Sequence, residues 1–143
     1  MPEAEPRPVL PLEPPPRAGE LTPGWRIATG LIWIAVVLSF AAVWKVSEQL
    51  GLSTWWLGPR GAPRPRLIQL GPFVAPVLMV LATINNIRWL CWFGLGSSAL
   101  LAAVGFGDLG RVESIAVTEF LIAAAAAAFS VASLTGTYRT GSR

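Results

Sequence analysis

From Ile27 to Trp44 the chain runs through eighteen residues without a charge, and tryptophans at 25 and 44 bracket that run. Their separation of 19 residues is roughly 28 Å of α-helix at 1.5 Å per residue, close to the ~30 Å hydrocarbon core of a bilayer. Tryptophan favours both membrane–water interfaces, so the pair acts as a ruler for the segment between. Thr22 followed by Pro23 supplies an N-cap and a first-turn proline. The helix is expected to continue past Trp44 through Leu50 and to stop at Gly51.

The same pattern recurs along the chain. Apolar blocks over about 67–84, 89–106 and 115–134 follow, separated by short polar punctuation. Only 13% of the 143 residues are charged, against roughly 25% in a typical soluble domain. A soluble fold of this length needs more polar surface to cover its core. The predicted fold is therefore an all-α integral membrane protein, a four-helix transmembrane bundle with a disordered proline-rich N-terminal tail.

Residues 1–23 form that tail, carrying eight of the thirteen prolines together with Glu3, Glu5, Glu13 and Glu20. Such a stretch buries too little apolar surface to order itself and leans toward polyproline II. It lacks the basic start, apolar middle and small-residue cleavage site of a signal peptide. Residues 24–136 make the transmembrane domain, and 137–143 a short C-terminal tail.

Between the first two spans, Trp55 and Trp56 suit a headgroup layer. Arg60, Arg64 and Arg66 alternate with prolines in a stiff basic strap that would grip acidic lipid. Trp25, Trp44, Trp55, Trp56, Trp89 and Trp92 are read together as interfacial anchors. In the second span, Pro72 and Pro76 kink or shorten the helix. Asn85 and Asn86 are expected to cap a tight turn, since asparagine accepts unusual backbone angles.

In the third span Gly94, Ser98 and Ala102 recur every four residues, a face that lets two membrane helices approach closely. Gly105, Gly107, Asp108 and Gly110 are read as breaking this helix into a loop. The fourth span centres on six consecutive alanines, 123 to 128. It holds Glu119, the one acid inside a predicted span, and ionisable residues at depth are candidate functional groups. Four crossings place the start of this span on the same side as Arg66, so a Glu119–Arg66 ion pair is expected to tie the fourth span to the second.

The chain has no histidine, which removes the commonest general base and transition-metal ligand. Its one cysteine, Cys91, excludes an intramolecular disulfide and sits in an apolar run, where a thiol packs as a small hydrophobe. No catalytic, cofactor-binding or metal-binding set is assigned and no cofactor is expected. Asp108 and Glu113 are read as helix-end charges. With a net charge of +3 and arginines at segment ends, the basic residues point to lipid headgroups rather than to nucleic acid.

Four crossings put both termini on one side, with six basic residues there and five opposite. The positive-inside rule barely separates six from five, and a slight lean is to cytoplasmic termini. The wealth of alanine, arginine and proline points to a bacterial protein of the inner membrane. The leading function is a non-enzymatic accessory or scaffold subunit that packs against a membrane-protein partner or a second copy. The alternative is a small transporter or channel subunit with Glu119 as its intramembrane ionisable residue. In size and segment number the chain resembles the small multidrug-resistance transporters. That family carries an essential glutamate within its first helix, whereas here the first helix has no acid until Glu48, beyond the span.

Overall fold

The computed structural model describes residues 15–139, and within them the chain is helical. Helix α1 is Pro23–Leu50, α2 Arg66–Gln69, α3 Gly71–Ile84, α4 Leu90–Asp108 and α5 Glu113–Ala132, followed by a 3₁₀ turn at Ser133–Gly136. Three stretches are long and apolar enough to cross a membrane: Pro23–Leu50, Leu90–Asp108 and Glu113–Gly136.

Helix α1 begins at Pro23 and ends where Gly51 turns left-handed (φ 71°), its N–H bonded to the Ser47 carbonyl. Thr22 is extended ahead of the helix, yet its hydroxyl makes no capping bond. The expected span at 67–84 is divided in two by Leu70. Pro72 lies in the first turn of α3, where its missing N–H costs nothing, and Pro76 lies inside it. The fourteen residues of α3 amount to only about 21 Å of helix.

Helix α1 packs against α3 and α5, and α4 packs against α3 and α5, the α4–α5 contact being the most extensive. The four longer helices thus close a ring, each antiparallel to the next in sequence. Their buried positions explain the packing. In α1 these are Thr29, Trp33, Val36, Phe40, Val43 and Ser47, and in α5 Glu119, Ala123, Ala126 and Ser130. Steps alternating between four and three residues keep one seam facing the neighbours, as in left-handed helix packing. Trp33, Phe40, Met79, Leu90 and Leu101 fill the centre.

The polarity of the molecule is inverted relative to a water-soluble domain. Ile27, Leu31, Leu38, Leu100, Phe106 and Leu121 are each more than 60% exposed, while Thr29, Thr83, Ser98, Asp108, Glu119 and Ser130 are buried. The buried hydroxyls of Thr29, Thr83, Ser98 and Ser130 each donate to the carbonyl four residues back, at 2.7–2.8 Å. They are satisfied within their own helix and expose little polarity to the neighbours. An exterior this apolar is a liability in water and the solvated surface in lipid.

At one end of the ring, residues expected to belong to the N- and C-terminal tails are stitched down. Leu21 bridges to Thr137 in antiparallel fashion. Gly19 N–H donates to the Tyr138 carbonyl (3.0 Å), Tyr138 N–H to Glu20 (2.9 Å) and Trp89 N–H to Gly19 (3.0 Å). The ordered part of the chain therefore begins before residue 23. The remainder of the predicted proline-rich tail, 1–14, lies outside the described residues, as do 140–143.

Candidate functional site

At the opposite end, α1 and α2 are joined by residues 51–65, and this connection folds inward. Thr54 and Trp56 are fully buried and Leu57 nearly so. Thr54 organises the turn: its hydroxyl accepts from Leu57 N–H (3.2 Å) and its carbonyl from Gly58 N–H (2.9 Å). Trp56 lies edge-on to Trp44 (centroids 5.9 Å apart, 79°) and to Phe73 (6.3 Å, 77°), closing an aromatic cluster between α1 and α3. Such edge-to-face pairs are a favoured aromatic geometry.

Under this plug sit two carboxyl groups. Asp108, the last residue of α4, and Glu119, one turn and a half into α5, are both 0% exposed. The Trp55 backbone N–H donates to Asp108 Oδ1 at 2.7 Å, and the Trp56 indole donates to Glu119 Oε1 at 3.1 Å. The two carboxyls lie close enough to interact directly with each other. Among the described residues, neither Asp108 Oδ2 nor Glu119 Oε2 has a donor.

Gly107 makes room for the plug. A Cβ at this position would overlap the Trp55 ring, whose indole donates to the Val104 carbonyl at 2.9 Å. Instead of ending α4, Gly105 and Gly107 lie within it, and the helix runs on to Asp108. The turn that follows hangs on the same residue, because the Asp108 carbonyl accepts from Arg111 and Val112 N–H.

The residues singled out in the sequence are distributed unevenly around this site. Glu119 is at its centre. Arg66, the expected ionic partner, is exposed and shares a shallow cleft with Trp44, Glu48, Gln69 and Leu70. Glu119 is held by the Trp56 indole instead, with the Asp108 carboxyl beside it. Of the basic strap, Arg60 turns back onto the end of α1, donating to the Glu48 and Gln49 carbonyls, while Arg64 is exposed.

Among the proposed anchors, Trp89 and Trp92 are more than half exposed, whereas Trp56 is interior. Trp25 and Trp44 are half-buried, Trp25 against Phe129 and Trp44 with its indole on Glu48 Oε1 at 2.8 Å. On α4, Gly94 and Ser98 are buried; Gly94 faces Ser130 of α5 so closely that a Cβ would collide with the Ser130 hydroxyl. Ala102 is half-buried at the edge of that seam, and Leu101 takes the buried position. Pro72 and Pro76 both face inward on α3.

Asp108 escaped sequence reasoning as a site residue. It stands beside glycines in a stretch that reads as a loop, so its depth is invisible without the tertiary fold. The usable signal was the tryptophan pair at 55 and 56: two indoles bring donors that require acceptors when buried.

No protein-family model, no curated protein and no solved structure matches this chain.

Proposed function

We propose that the chain is a small non-enzymatic integral membrane protein, a four-crossing bundle that serves as an accessory or scaffold subunit. The observation that carries this reading is the joint distribution of polarity and space. Large apolar side chains are exposed on α1, α3, α4 and α5, the centre is filled by Trp33, Phe40, Met79 and Leu101, and an apolar groove lies on the outer face of α4. That groove, ~680 Å³, is lined by Trp89, Trp92, Phe93, Gly96, Ser97 and Leu100. Small residues between large aromatic ones give a neighbouring helix a close approach. The partners proposed are the lipid bilayer and a membrane protein or second copy of the chain.

In this reading α2 and α3 cross together as one bent segment. Residues 66–84 span roughly 28 Å if helical throughout, close to the core thickness. Both termini then face one side, proposed to be the cytoplasm of a bacterial inner membrane. Native mass spectrometry from mild detergent tests the central claim. The expected species is an assembly heavier than the 15.2 kDa chain; a clean monomer under conditions that preserve other membrane complexes overturns it.

A second reading, a small transporter or channel subunit using Glu119, is favoured by one observation, the buried carboxyl pair with donorless oxygens. Its test is liposome flux with Glu119→Gln. Flux that survives the substitution removes Glu119 from any coupling role.

A further inference from the structure

We infer that Asp108 and Glu119 form a proton-binding site: the two carboxyls share one proton, and that proton latches the 51–58 loop over the end of the helix ring. The argument begins with hydrogen-bond valence. An ionised carboxylate accepts and never donates. Two buried carboxyl side chains close enough to interact directly, each with an oxygen that lacks a donor, can therefore satisfy one another only if one of them carries a proton. Asp108 Oδ2 and Glu119 Oε2 are fully buried, and among the described residues no group donates to either. A pair of bare carboxylates packed together inside the fold would combine like-charge repulsion with loss of solvation, and sharing a proton removes the larger part of both.

The groups facing the pair can be enumerated. From the loop come the Trp55 backbone N–H on Asp108 and the Trp56 indole on Glu119. From the turn after α4 comes Arg111, exposed, acting on Asp108 through space. Both loop donors are single N–H groups already committed to Oδ1 and Oε1, so Oδ2 and Oε2 are left for the proton. Its loss would place two negative charges beneath Trp55 and Trp56, and the 51–58 loop that covers them is the element whose opening would admit water to the pair. This holds whichever partner the exterior of the bundle engages.

Infrared spectroscopy of the full chain in lipid nanodiscs tests the site. The expected result at neutral pH is a protonated-carboxyl C=O band that shifts in D₂O and disappears in both Glu119→Gln and Asp108→Asn. Each amide supplies a permanent donor where the proton stood, so each variant also keeps the loop closed. Hydrogen exchange of the 52–58 segment, corrected for intrinsic pH dependence, gives the second readout. Wild type should accelerate about tenfold or more over the pH range in which the band is lost, and the amide variants should stay flat. Should one variant fail to fold, the other carries the comparison. Absence of the band from wild type, persistence of the band in a folded variant, or its appearance only when sodium and potassium are withdrawn overturns the proposal, the last in favour of a bound cation. Loop exchange that tracks pH equally in wild type and variants overturns the latch.

Discussion

Trp56 illustrates how one side chain acquires two obligations when it is buried. Its ring completes the cluster with Trp44 and Phe73, and its N–H is the donor on Glu119 Oε1. Trp56→Phe keeps most of the ring and removes the donor, orphaning Oε1 of the fully buried Glu119. Such an orphan costs about 1–3 kcal/mol, so a lowered midpoint of thermal unfolding in detergent is expected. In Trp56→Phe/Glu119→Leu, which lacks both donor and acceptor, part of that loss should be recovered; a double variant no more stable than Trp56→Phe would refute the account. Arg60 presents the complementary case at the surface. It donates to carbonyls at the C-terminal end of α1, where a cation is worth about 0.3–1 kcal/mol. Arg60→Ala is expected to bring a small loss in thermal stability that Arg60→Lys partly restores.

At the scale of elements, Gly94 and Gly96 on α4 differ in what lies opposite them. Gly94 is against Ser130 with no room for a methyl group, whereas nothing lies within 4 Å of a Cβ built at Gly96. Gly94→Leu should therefore force α4 from α5 at a cost of about 1–3 kcal/mol, the usual range for overpacking. Gly96→Leu should leave thermal stability within about 0.5 kcal/mol of wild type yet fill the outer groove of α4 and weaken any assembly built on it. Thermal unfolding paired with native mass spectrometry separates the two outcomes; equal destabilisation by both substitutions would contradict the assigned faces. The bend between α2 and α3 has a similar local cause, since Pro72 can open a helix but cannot sit comfortably in the middle of one.

The whole molecule is organised by its two ends. One end is drawn together by backbone bonds among residues 19–22, 89 and 136–138, and the other is plugged by the inward-folded 51–58 loop. With four crossings, reporters fused after Leu50 and Gly110 should report one side and those after Arg88 and Arg143 the other. Identical sidedness at Leu50 and Arg88 would show that α2 and α3 together fail to cross. Matching sidedness at Arg88 and Gly110 would remove α4 as a span.

Much of this architecture is legible from residue order. Helix α1 and its stop at Gly51 follow from an uncharged run bracketed by tryptophan, proline and glycine, all of which act through the local backbone or the solvent. The apolar exterior follows from composition, because 53% hydrophobic residues leave too few polar ones to cover a soluble core. The spacing of Gly94, Ser98 and Ala102 predicts one close-packing face on α4 without naming the helix opposite; in the fold Gly94 lies against Ser130 of α5, and Ala102 is only half-buried. Tertiary structure alone decided the partner of Glu119. Ionic reasoning selected Arg66 because unlike charges on one side of a membrane are natural partners, but hydrogen-bond geometry depends on which side chains the packing brings within 3 Å. That packing turned Trp56 from an interfacial anchor into a buried donor, and carried Asp108 from an apparent loop to the floor of the same site. Local sequence sets where helices start and stop and which solvent they meet; depth and pairing are properties of the assembled ring.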